Sequence, residues 1–283
     1  MAVLHHLARR LEQLDALDPV AAPLARAVGR VVRPRPLRNL LSGTNLGHPL
    51  HPVLTDVPIG AWGMSVLLDN VGGKLAEPAA DVLLAAGVAA AVPTAATGWN
   101  DWSDTYGPAR RVGLVHAGVN VTALSLYVAS LIARRSGQRR RGKGLSLVAL
   151  GVLMAGGYLG GHLTFVKAVN VNHTAFEDRP REWTPVLPDS ELAEGAHRKV
   201  LAGDAPVLLC REAGEVLALA STCSHMGGPL EEGRIADGCV TCPWHGSTFN
   251  LADGGIVRGP ASTPQPSYDT RVNDGHIEVR ARH

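Results

Sequence analysis

Cys223-Ser224-His225-Met226-Gly227-Gly228-Pro229-Leu230 and Cys242-Pro243-Trp244-His245-Gly246-Ser247, with sixteen residues between His225 and Cys242, are the stretches that decide how this chain reads. Each offers one thiol and one imidazole inside a glycine-containing loop. Two thiolates and two imidazoles serve either of two centres. They close a tetrahedral zinc site, or they hold an asymmetric [2Fe-2S] cluster with sulfur on one iron and nitrogen on the other. Spacing alone leaves the two near even.

The surroundings separate them. Gly227-Gly228 follows the first pair, Gly246 the second, and Gly259-Pro260 stands further on. With these, residues 183–283 resemble the Rieske iron-sulfur domain family, and Gly259-Pro260 is similar to that family's proline loop. The resemblance implies a [2Fe-2S] cluster with Cys223 and Cys242 on a buried ferric iron and His225 and His245 on the outer, reducible one. It places Gly227, Gly246, Ser247 and Pro260 around the cluster. Neutral imidazoles in place of two thiolates remove negative charge from one iron, so that iron accepts an electron more readily. The second ring nitrogens are expected to face solvent and a docking partner.

Departures from the family pattern carry information. Quinol-oxidising members hold a disulfide between the two loops, and the corresponding positions here are Gly228 and Trp244, so no such staple forms. High-potential members place a serine and a tyrosine hydroxyl near the sulfurs. This chain keeps Ser247 but has Phe249 at the tyrosine position. Loss of one donor lowers the potential, which predicts a ferredoxin-like or intermediate value. Cys210 and Cys239 read as small strand residues.

The remainder of the chain is of another kind. Of 283 residues 46% are hydrophobic and only 18% charged, with a net charge of +2 too small to point to nucleic acid. Four apolar segments stand near 53–72, 79–98, 112–133 and 145–166. About twenty residues at roughly 1.5 Å each match the ~30 Å hydrocarbon core of a bilayer. The last two contain no Asp, Glu, Lys or Arg, while Asp56 and Asp69 fall near opposite ends of the first. Gly157 and Gly161 form a GxxxG pair suited to close helix contact. Leucines at 4, 7, 11, 14 and 17 predict an amphipathic helix over 3–18.

Gly47-His48-Pro49-Leu50-His51-Pro52, Pro58-Ile59-Gly60 and Gly160-Gly161-His162-Leu163 resemble a bacterial family of four-helix membrane proteins, a resemblance that brings no activity with it. Helix parity puts His48, His51, His116 and His162 on one membrane side, the side on which the C-terminal domain emerges. His116 and His162 are expected at equal depth, about 6 Å from that boundary at ~1.5 Å per residue. Intramembrane histidines mark functional sites, here a b-type haem or a quinone site.

The chain therefore divides into an amphipathic and basic segment over 1–50, an all-α four-helix transmembrane bundle over 51–170, a linker over 171–182 and an all-β Rieske-type domain over 183–283. Short β-type runs at 199–201, 206–209, 216–219 and 277–279 mark that domain. No secretory signal is expected at the N-terminus. Basic residues are balanced on the two sides of the bundle, and the missing loop disulfide suits a reducing compartment. The expected location is the bacterial cytoplasmic membrane with the Rieske domain in the cytoplasm.

The implied function is a membrane-anchored electron carrier, an oxidoreductase component and not a self-contained enzyme. It passes single electrons between a ferredoxin reductase-like protein or respiratory component and a membrane or soluble acceptor. The alternatives are a redox enzyme using a haem or quinone site among the helices, and a cluster-based redox sensor.

Overall fold

The computed structural model describes residues 2–282 and divides the chain into two compact units. One unit takes the residues up to Arg33 together with Leu50–Val169, and the other takes Pro34–Pro49 with the residues from Asn170 onward.

The first unit is helical. Helices α1 (Ala2–Glu12) and α2 (Asp18–Val31) flank a short 3-10 turn at Asp15–Leu17. The single helix expected over 3–18 is thus broken. Pro19 lacks an amide hydrogen and fits the first turn of a new helix, and Leu14 and Leu17 lie outside α1. A further helix, α3 (Arg35–Ser42), belongs to the second unit. Then come the long helices α4 (Leu50–Val71), α5 (Glu77–Trp102), α6 (Gly107–Arg135) and α7 (Arg139–Phe165). Helix α4 packs on α5, α5 on α6, α6 on α7 and α7 on α4.

Among the described residues three segments are long and apolar enough to cross a membrane: Lys74–Trp102, Gly107–Arg135 and Arg139–Phe165. Helix α4 falls short because His51, Thr55, Asp56, Ser65, Asp69 and Asn70 dilute its apolar run.

Small residues let the helices approach, though not at the expected pair. Gly157 has nothing within 4 Å of the position a Cβ would take, whereas such an atom on Gly156 would lie 2.8 Å from the Asn120 amide and one on Gly160 3.1 Å from the His116 ring. The seam therefore runs one residue earlier, on the α7 face turned to α6. Gly87 similarly admits Trp62, whose indole stacks on Tyr127 with ring centroids 4.2 Å apart.

Polar groups concentrate at the two ends of these helices. At one end the guanidinium of Arg134 grips Asp69 and bonds Asp81 at 2.8 Å, while Arg139 reaches Asp69 at 3.0 Å. The Arg134 and Asp69 side chains are 1% and 2% exposed, so this pair survives burial only because each charge meets another. At the other end Arg111 binds Asp15 and Asp18, and Glu12 takes His162 at 2.7 Å and Lys167 at 3.1 Å.

The second unit is built on two antiparallel sheets. The larger runs β1 (Thr184–Pro188), β10 (His276–Ala281), β9 (Ser267–Asn273), β4 (Glu215–Ala220), β3 (Ala205–Glu212), β2 (His197–Ala202). The smaller runs β5 (Arg234–Ala236), β6 (Cys239–Thr241), β7 (Thr248–Asn250), β8 (Ile256–Arg258). Successive side chains of a strand point to opposite faces, and β3 uses both. Val207 and Leu209 enter one core with Ile277 and Val279. Leu208 and Cys210 enter another with Leu230, Val240, Phe249, Cys223 and Cys242. The two candidate ligand cysteines are thereby rooted in a hydrophobic core that fixes the loops carrying them. Cys239 sits in β6, and no cysteine forms a disulfide.

Candidate metal centre

The first loop crosses from β4 of the larger sheet to β5 of the smaller, and the second joins β6 to its neighbour β7 within the smaller sheet. They are local copies of each other. Gly227 and Gly246 each follow their cysteine by four residues and each has φ of +74°, a left-handed conformation open to glycine. The amide of Gly227 donates to the Cys223 carbonyl at 2.9 Å, and that of Gly246 to the Cys242 carbonyl at 3.1 Å. This turn bends the chain around each sulfur. Backbone N–H groups of His225 and Met226 then point at the Cys223 sulfur, and those of Trp244 and His245 at the Cys242 sulfur.

Like donors are paired with like. Cys223 and Cys242, 1% and 3% exposed, share a side-chain hydrogen bond. The His225 and His245 rings stand 5.1 Å apart and nearly perpendicular. That shared hydrogen pushes the Cys223 thiol up, with burial adding to it, and pulls the Cys242 thiol down. Two buried thiols this close ionise together only beside strong positive charge. Among the described residues no three His, Cys, Asp or Glu side chains gather as a single metal ion would require. A sulfur pair beside a nitrogen pair fits two bridged irons, each taking two protein ligands.

The loops are clamped by residues with no motif of their own. Gln265, 2% exposed, accepts from the Ser224 amide at 2.9 Å and donates to the carbonyls of Ala220 and Thr222 at 2.7 and 2.6 Å. Ser247 Oγ accepts from the Ala261 amide at 3.0 Å, and Arg258 donates to the carbonyls of Gly246 and Gly259 at 2.7 and 3.0 Å. Gly259 and Ala261, on either side of Pro260, are thus tied to the second loop. Phe249 is fully buried in the core beneath the cysteines.

The histidines are not equivalent. His225 is 7% exposed, against the expectation of a solvent-facing ring, while His245 is half-buried and its neighbour Trp244 is 52% exposed. Burial first, then the charges of His245, Arg38 and His173, hold the His225 imidazole well below its ordinary pKa, in the neutral form a metal ligand needs.

Residues 182–269 match the family described as Rieske [2Fe-2S] domain. The anthranilate 1,2-dioxygenase ferredoxin subunit of Burkholderia cepacia is 34% identical over 98 residues, 35% of this chain and 91% of that protein. The chain belongs to the Rieske [2Fe-2S] domain family. Ferredoxin CarAc of Metapseudomonas resinovorans is 30% identical to the Rieske domain, over 34% of this chain and 92% of its own length. A solved complex of reduced oxygenase and oxidized ferredoxin in carbazole 1,9a-dioxygenase aligns at 27% identity and a TM-score of 0.34, over 36% of this chain and 98% of the matched one. Residues 47–173 match a family described as Predicted membrane protein (DUF2231). The Rieske domain binds a [2Fe-2S] cluster.

Of the other four candidate histidines, His48 belongs to the Rieske unit and His51, His116 and His162 to the helical unit. His48 lines a cavity beside His225 in the Rieske unit. In the helical unit His51 Nδ1 bonds the Thr94 carbonyl at 3.0 Å and His116 Nδ1 the Gly156 carbonyl at 2.9 Å. His162 is held by Glu12. Equal depth for His116 and His162 also fails. Helix α6 begins nine residues before His116, whereas α7 ends three residues after His162.

Proposed function

We propose that this chain is a membrane-anchored one-electron carrier in which Cys223 and Cys242 hold one iron and His225 and His245 the other. The observation that carries it is the sorting of the four side chains into a buried sulfur pair and an adjacent nitrogen pair. When bound, the cluster supplies a site that takes up and releases single electrons. The protein's own part is to exclude water from the sulfurs, aim four backbone N–H groups at them and leave the Trp244–His245 edge open to a partner. A relative named as the ferredoxin subunit of a dioxygenase favours a soluble reductase as donor and a separate oxidoreductase as acceptor.

All four long helices are assigned to the membrane. Arg111 and Arg134 lie 23 residues apart on α6, a rise of ~35 Å that spans the ~30 Å hydrocarbon core. Ion clusters at the two ends then sit at the two interfaces. The same reasoning includes α4, whose Asp69 is neutralised by Arg134 and Arg139 at one such end. We assign the Rieske domain to the cytoplasm, where a cluster without a loop disulfide is at home. A reporter fused after the Rieske domain that is active only outside the cytoplasm would reverse that assignment.

Coulometric titration of the full-length protein in nanodiscs tests the carrier reading. Uptake and return of one electron per chain supports it, and a chain that takes up none contradicts it.

A further inference from the structure

The sequence between Arg33 and Leu50, rich in proline and arginine, reads as membrane-flanking charge, yet it folds with the Rieske domain. Asn39 on α3 accepts from the Gly259 amide at 2.8 Å and donates to the Val257 carbonyl at 3.4 Å. Thr44 donates to the Ala261 carbonyl at 2.9 Å. These bonds bracket Pro260 on both sides. The fit is close, since a Cβ on Gly259 would stand 2.6 Å from Thr44 Oγ1.

Beyond the anchors, Ser42 and His48 share a cavity of about 130 Å³ with Asn172, Ser224, His225 and Pro260. The His225 side of the centre is covered by this segment, while the Trp244 side is open. Arg38, one helical turn before the cavity-lining Ser42 and on the same face of α3, is only 3% exposed. A fixed positive charge in a medium of low dielectric favours the state that has gained an electron, and net charge and exposure are among the levers on a cluster's potential.

We propose that residues 34–49 form a strap that is part of the redox centre, closing its His225 side and raising the cluster's potential through the guanidinium of Arg38. The proposal rests on His225 as a ligand. Arg38 acts on the cluster from outside the ligand set and is a positioning residue. Burial by the strap and the charge it brings work in opposite directions on the potential. The experiment therefore isolates the charge.

The test is an EPR-monitored redox titration of the full-length protein in nanodiscs. Arg38→Gln should lower the reduced-to-oxidised ratio at fixed potential roughly tenfold, about 59 mV for a one-electron couple. Arg38→Lys, which keeps the charge, should stay within about threefold of the parent, a shift under ~30 mV on the same scale. Arg38→Met removes the charge with a chain suited to burial, so it decides the point if the Gln variant does not retain its cluster. With both anchors removed, in Asn39→Ala/Thr44→Ala, the Arg38 substitution should lose its effect, as a double-mutant cycle requires of coupled residues. Unchanged or raised ratios in the neutral variants, with the cluster signal at parental intensity, overturn the proposal. A parent protein with no reduced-cluster signal overturns the ligand reading beneath it instead.

Discussion

The ring of Trp244 lies 3.2 Å from the point where a Cβ on Gly228 would stand. These are the two positions at which quinol-oxidising relatives join their loops covalently, and here an indole seated on a bare glycine brings the loops together. The same point is 2.8 Å from Cys242 Sγ, so no side chain is admitted there.

Gly228→Ala should therefore strain both loops at once. Overpacking of this kind costs about 1–3 kcal/mol. We expect a lower thermal midpoint and less cluster per purified chain, read from calorimetry and visible absorbance, with backbone φ as no obstacle because Gly228 is not in the left-handed region.

Ser247→Ala removes the acceptor of the Ala261 amide, a buried group left without that bond. Leaving such a donor unsatisfied costs about 1–3 kcal/mol. Chemical denaturation should show that loss, and the redox midpoint should fall if the hydroxyl also serves a cluster sulfur.

Arg134→Met breaks the buried pair with Asp69. Removing one partner of such a pair costs about 3–5 kcal/mol, whereas replacing both by apolar residues often restores stability. Unfolding of the detergent-solubilised protein should be much easier for Arg134→Met than for Arg134→Met/Asp69→Leu. Equal stability of the two would show that the pair is not what holds this end together.

Glu231 closes the first loop by bonding Lys199 at 2.6 Å and Ser221 at 2.7 Å. Burial raises its pKa, but the bonds from Lys199 and Ser221 outweigh it, so the folded value lies below the ordinary 4.5. The stabilisation is thus complete above pH ~4.5 and lost as pH falls through the lower folded value. Visible circular dichroism during acid titration should show Glu231→Gln losing less with falling pH than the parent does.

The parts of this structure that were legible in sequence are those with a local signature. The paired loops announce themselves by residue type and spacing, and the β-runs at 199–201, 206–209, 216–219 and 277–279 fall within β2, β3, β4 and β10. Strands β5 to β8 have three residues each, too few for a period to show. The Pro34–Pro49 segment was hidden for a different reason. Its anchor from Asn39 to Gly259 crosses 220 positions and joins a side chain to a backbone amide, a contact that leaves no mark on either local pattern. Gln265 is likewise silent in the sequence, because a buried amide clamping three backbone groups has no motif. Helix α4 shows the converse, where Asp69 dilutes an apolar run and only the fold supplies its counter-charges.

The most direct test is iron and acid-labile sulfide analysis of the purified full-length protein, with EPR of the same sample after reduction. Two irons and two sulfides per chain, with a reduced-state signal lost in Cys242→Ser, is the predicted result. Zinc in their place, with no labile sulfide, would contradict the account.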